Sequence, residues 1–171
     1  MEAKELIRLA PAAFALFSLI TPSASQAETQ SLPVGSSTPP MILASNQFVF
    51  NPKSLSWVAI NHNGKVVRSG KASGGSRYCK DVRRACRTPT GTYRIISKGS
   101  ANCRSSRYPL GKGGAAMPYC MFFSKYYAIH GSYDVPNYNA SHGCIRVKPH
   151  DAKWLHQNFI KIGTKVIVKP Y

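Results

Sequence analysis

Leu55-Ser56-Trp57-Val58-Ala59-Ile60-Asn61-His62-Asn63-Gly64-Lys65-Val66-Val67-Arg68-Ser69-Gly70-Lys71-Ala72-Ser73 is the stretch that decides the fold class. Asn63-Gly64 favours the positive φ angles of a tight reversal, and the β-prone segments Leu55 to Asn61 and Lys65 to Ser73 flank it. Two antiparallel strands are expected. Working outward, Thr88-Pro89-Thr90-Gly91-Thr92-Tyr93-Arg94-Ile95-Ile96 opens on a turn and continues as a strand, with Tyr93 and Ile95 on one face and Arg94 on the other. Met121 to Phe123, Tyr126 to His130, Ile145 to Lys148 and Thr164 to Lys169 are further strand candidates. Pro149 to Ile160 is the one convincing helix: proline suits its first turn, and Ala152, Leu155 and Phe159 share a face. The reading is mainly β, a sandwich or barrel with one or two short helices.

At the other end, Leu9 to Ile20 is apolar but too short to span a bilayer, and small and polar residues follow it to Ser25-Gln26-Ala27. Residues 1–27 are expected to be a cleaved secretory signal peptide, although Glu2 and Glu5 offset Lys4 and Arg8. Residues 28–45 follow as a flexible linker, dense in Ser, Pro and Gly from Ser31 to Pro40. A single domain over 46–171 remains, large enough for its own core and expected to be a monomer. No segment of the mature chain suits a transmembrane span. Gly99 to Gly114, rich in Gly, Ser and basic residues, is expected to be a long loop.

The chain carries 23 Lys and Arg against 6 Asp and Glu, a formal net charge of +17. Only Asp81, Asp134 and Asp151 lie within the expected domain. Three scattered carboxylates do not supply the paired acids of a glycosidase or the oxygen cage of a calcium or two-metal site. The positive surface suits a polyanionic surrounding or simple solubility. Five cysteines would be exported, so four can pair and one is left over. Cys79 with Cys86 and Cys103 with Cys120 is the favoured of three pairings, because each closes a short local loop. Such loops typically contribute roughly 2 to 3 kcal/mol.

The odd cysteine is Cys144, in Ser141-His142-Gly143-Cys144-Ile145-Arg146, with His130 upstream in Ile129-His130-Gly131. A thiol attacks as its thiolate, which a neighbouring imidazole helps to form. His142 and Cys144 share a face if the run is extended, and His130 would come from another strand, so spacing alone leaves either histidine as the base. Gly143 clears space beside the sulfur for a carbonyl and for oxyanion-binding N–H groups. Arg146 reads as an anchor for a substrate carboxylate or for the His142 loop, and Tyr119 as a cleft wall. Asp134 is set aside as a triad member. A zinc shell from His130, His142, Cys144, His150 and His156 lacks a short ligand pair of the usual kind, so no metal and no cofactor is expected. His62, His150 and His156 read as surface residues.

The pattern Ile129-His130-Gly131 followed by Ser141-His142-Gly143-Cys144-Ile145-Arg146 resembles the signature of the L,D-transpeptidase catalytic domain, the YkuD domain. Thr88 to Ile95 is similar to the TP-x-G-x-F/Y segment of that family. Met117-Pro118-Tyr119 with Met121-Phe122-Phe123 is similar to the stretch before its histidine. The resemblance covers nearly the whole expected mature chain. It implies a β-sandwich-like fold, Cys144 as nucleophile and His130 as base. His142 and Gly143 would shape the pocket, with Arg146 steadying the loop and Ser141 among the supporting residues. Backbone N–H groups around Gly143 and Cys144 would form the oxyanion hole, with Tyr119 contributing. A backbone carbonyl at Gly131, where some members carry Ser, would orient His130. The implied substrate is a peptidoglycan tetrapeptide stem, cleaved with loss of D-alanine in the periplasm or cell envelope. The acyl group would pass to a stem amine, to a lysine of an acceptor protein, or to water as in an L,D-carboxypeptidase. The rivals are a basic secreted binding module for nucleic acid or acidic glycolipid, which the resemblance disfavours, and a cysteine protease lacking the papain-like signature.

Overall fold

A computed structural model describes residues 45–111 and 113–171. The expected leader, and all of the linker but its last residue, lie outside the described residues. The described chain runs β1 (Gln47–Asn51), β2 (Ser56–Ile60), β3 (Val66–Ser73), β4 (Gly91–Arg94), β5 (Ser97–Lys98), β6 (Met121–Phe122), β7 (Ala128–Gly131), β8 (Ile145–Val147), α1 (Pro149–Trp154) and β9 (Lys165–Val168). These strands form one curled sheet in the order β4-β9-β1-β2-β3-β8-β7-β6-β5. The mainly β class read from the sequence holds.

The founding hairpin is β2 against β3, antiparallel, with a register shift between Ala59 and Ile60. Its turn is wider than the sequence suggests. The Asn61 side-chain oxygen accepts hydrogen bonds from the Asn63 and Lys65 N–H groups at 3.0 Å each, and Gly64 takes the positive φ of 77°. Alternation then buries Trp57 and Ala59 and leaves their neighbours half-exposed. Phe48 of β1 stacks on Trp57 with ring centroids 5.7 Å apart, at the centre of a core shared with Ile129, Ile145, Val147, Leu155 and Val166. In β4, Tyr93 packs on this core and Arg94 points to solvent, as read. Strand β1 falls at the start of the strand-like region from Phe48 that the family resemblance implies, whereas the two residues of β5 are too few to stand out.

The helix differs from its sequence reading. Its α-helical part spans Pro149–Trp154, and Leu155–Phe159 continues as a π-helical turn. Ala152, Leu155 and Phe159 are buried together, as their spacing implies. Arg68 of β3 bonds Asp151 at 2.8 Å and covers the Trp154 ring, fastening the helix to the sheet. Ala152 in turn packs against β7, where a Cβ on Gly131 would lie 3.2 Å from the Ala152 methyl and 3.0 Å from Pro118.

Both expected disulfides are formed, Cys79–Cys86 and Cys103–Cys120, and Cys144 is the free cysteine. No helix among the described residues is long and apolar enough to cross a membrane.

Candidate active site

The site is assembled by parallel pairing of β7 and β8, which sets His130 opposite Arg146 and Ile129 opposite Ile145. Cys144 immediately precedes β8, so its side chain falls on the face of Arg146 and is a diagonal neighbour of His130. All three line one cleft of about 640 Å³, together with Ser141 and His142. Tyr108, Tyr126 and Tyr127 supply its aromatic walls.

The nucleophile loop is held from within. Ser141 is buried, and its Oγ accepts the Gly143 N–H at 3.0 Å while donating to the Cys144 carbonyl. Gly143 has φ 124°, a conformation that L side chains rarely adopt, and a Cβ there would collide with the Tyr127 ring. The need for glycine is therefore double. The engagement of the Gly143 N–H corrects the sequence expectation that it is a free oxyanion donor. Among the described residues the Cys144 N–H has no such partner.

His130 is buried, and its Nδ1 lies 2.9 Å from the Gly131 carbonyl oxygen. With Nδ1–H donating to that carbonyl, the basic lone pair sits on Nε2. Burial lowers the imidazole pKa to about 4, the Gly131 hydrogen bond works against this, and the Arg146 charge adds to it. Burial also pushes the Cys144 thiol above its ordinary value, opposed by the Ala128 backbone and the Arg146 charge. Both shifts favour the uncharged forms, thiol and imidazole, of the two groups that line the cleft.

His142 is gripped from two sides that no sequence pattern joins. Its Nε2 lies 2.7 Å from an Asp81 carboxylate oxygen, and its ring stacks on Tyr108 with centroids 4.0 Å apart. Asp81 sits in the loop closed by Cys79–Cys86, and Tyr108 in the loop closed by Cys103–Cys120. The Asp81 carboxyl is below its ordinary pKa: desolvation opposes the shift and is outweighed by the His142 hydrogen bond and charge and by backbone N–H groups. Cys79, Asp81 and His142 lie close enough to resemble a metal cluster. The Cys79 sulfur is already in a disulfide and cannot act as a thiolate ligand.

The remaining residues sort clearly. Arg146 bonds Asp134 at 2.7 Å, so Asp134 supports the arginine and not His130. Tyr119 corrects the expectation of a cleft wall: it is not among the cleft-lining residues and packs instead on His156 and the core, with backbone φ 57°. His62 and His150 are exposed as read, whereas His156 is half-buried between Tyr119 and the Lys98 amine, which bonds the His156 carbonyl at 2.6 Å.

A single free thiol, a buried imidazole fixed through one nitrogen and a glycine-shaped loop define a β domain with a cysteine–histidine cleft. Residues 45–168 match the L,D-transpeptidase catalytic domain, YkuD, and the chain belongs to that family. An L,D-transpeptidase from Xylanimonas cellulosilytica is similar at a TM-score of 0.63 and 28% identity, over 75% of this chain and 62% of that one. An L,D-transpeptidase from Mycobacterium smegmatis aligns at 0.61 and 21% identity, over 74% and 59%. L,D-transpeptidase 3 from Mycobacterium tuberculosis, in complex with a faropenem-derived adduct, aligns at 0.60 and 22%, over 74% and 60%. The chain thus spans less than two thirds of the length of each. No curated protein matches it.

Proposed function

We propose that the protein is an L,D-transpeptidase that uses Cys144 to transfer an acyl group from a peptidoglycan tetrapeptide stem. The observation that carries this reading is the shared cleft of the one free thiol and His130, with His130 Nδ1 tied to a carbonyl and Nε2 left as the base. Because burial favours the uncharged forms of both groups, the thiol proton passes to His130 Nε2 as sulfur attacks the stem carbonyl carbon. The carbonyl oxygen becomes an oxyanion, and the Cys144 N–H is the loop donor free to receive it. One such donor is typically worth about 2.7 to 4 kcal/mol of barrier. Collapse breaks the peptide bond, the protonated His130 returns its proton to the departing D-alanine amine, and a thioester remains on Cys144. An acceptor amine then attacks the thioester, loses its proton to His130, and restores the thiol as His130 protonates the leaving sulfur.

Export is part of the proposal. Two disulfides and the apolar run Leu9 to Ile20 support an oxidising compartment outside the cytoplasm. The test is incubation of tetrapeptide muropeptides with the wild type and with Cys144→Ala. The wild type is expected to release D-alanine and to carry a tripeptide adduct on Cys144 by mass spectrometry. Equal D-alanine release by the two proteins would refute the assignment. The ratio of cross-linked product to free tripeptide measures transfer to amine against transfer to water. A faropenem adduct on Cys144 gives an independent check of nucleophile accessibility.

A further inference from the structure

The cleft is lined by five cations drawn from four separate segments. Arg84 comes from the Cys79–Cys86 loop, Arg104 and Arg107 from the Cys103–Cys120 loop, Lys125 from the turn between β6 and β7, and Arg146 from β8. The described residues hold three acids, Asp81, Asp134 and Asp151. Each is committed: Asp81 to His142 at 2.7 Å, Asp134 to Arg146 at 2.7 Å and Asp151 to Arg68 at 2.8 Å. No Asp or Glu side chain among the described residues pairs with Arg84, Arg104, Arg107 or Lys125. Arg104 is positioned by its bond to the Gly114 carbonyl at 2.7 Å, and Arg107 and Lys125 lie over the rings of Tyr108 and Tyr126. Asp134, the one carboxylate in the cleft lining, is paired with Arg146, so the cleft carries a net positive charge, an arrangement that concentrates anions.

Building on the acyl-transfer reading, we infer that the preferred donor is a stem peptide whose side carboxylates are free, and that the enzyme discriminates against stems in which those carboxylates are amidated. Amidation leaves size and shape nearly unchanged and removes the charge, so it isolates the electrostatic contribution. A hydrogen bond to a charged partner is worth enough that each amidation is expected to lower kcat/KM by about tenfold or more. The loss should fall mainly on KM, because the side carboxylates keep the same contacts in the ground and transition states. Added salt should narrow the gap.

The experiment compares D-alanine release from a tetrapeptide with free side carboxylates and from its mono- and diamidated forms, in the wild type, Arg84→Gln and Lys125→Gln. The expected result is a strong wild-type preference for the free form that shrinks in both variants. Turnover of free and amidated peptides within about twofold of each other by the wild type would overturn the inference and leave acyl transfer standing, and a large preference untouched by both substitutions would overturn its assignment to this cation cluster. If neither peptide releases D-alanine and Cys144 stays unmodified, the acyl-transfer reading fails and the inference with it. Should one variant fail to fold, the other still tests the cluster, and the loss of the wild-type preference with added salt tests its electrostatic origin.

Discussion

Acidifying the folded protein should cost it stability through one side chain, His130. Burial holds its imidazole at about 4 in the fold, against an ordinary value of 6.5 in the unfolded chain. Between those values the unfolded state binds a proton that the folded state refuses, so the contribution is fully present above about pH 6.5 and is lost as pH falls through about 4. At about 1.4 kcal/mol per pH unit the whole difference comes to roughly 3 kcal/mol, and about 2 kcal/mol of it is gone by pH 5. That is a large share of the stability of an ordinary domain. Urea unfolding of the wild type and of His130→Gln across pH 7.5 to 4.5 would read it. Other acid effects, including repulsion among the surplus cations and titration of Asp81, are common to both proteins and drop out of the difference. The wild type should lose roughly 2 kcal/mol more than the variant between pH 7.5 and 5. Parallel profiles would refute the reasoning, as would an NMR titration of the wild-type His130 ring centred near 6.5.

The same burial should place the acid limb of kcat/KM close to pH 4 to 5 rather than near 6.5, measured as D-alanine release across a buffer series. Gly143→Ala forces an L side chain into φ 124° against the Tyr127 ring, so thermal unfolding should show a loss of about 1 to 3 kcal/mol or more, with activity largely abolished. Ser141→Ala removes the hydroxyl that ties the Gly143 N–H to the Cys144 carbonyl. It should cost about 1 to 3 kcal/mol in urea unfolding and lower kcat more than it raises KM. Asp81→Asn and Tyr108→Ala should each reduce kcat/KM by freeing His142, and neither should impair further when combined with reduction of the disulfide that carries it.

Much of this was legible because local chemistry and final geometry agree. Trp57 and Ala59 alternate with half-exposed neighbours, so β2 could be read from its residues, and the disulfides follow the shortest loops. The pairing of His130 with Cys144 was visible as two motifs, although strand register alone makes them neighbours. What stayed hidden depends on long-range placement. Asp81 lies 61 residues from His142 and reaches it only because the Cys79–Cys86 loop folds across the cleft. The Ser141 hydroxyl turns back on the Gly143 N–H, a contact that depends on the folded loop and that no sequence pattern announces. Tyr119 sits in a promising sequence context, but its left-handed backbone and its packing on His156 remove it from the cleft. The π-helical turn was invisible because Ala152, Leu155 and Phe159 share a buried side in either helical form.

The eight residues of β3 are divided between two neighbours: Val66 to Lys71 pair with β2, and Ala72 and Ser73 pair with β8. A one-residue insertion or deletion in this strand would exchange its inward and outward side chains and pull β8 out of step with β7. The hairpin tip at His62 to Lys65 faces solvent, whereas the strand beyond it is locked to the position of the reactive sulfur.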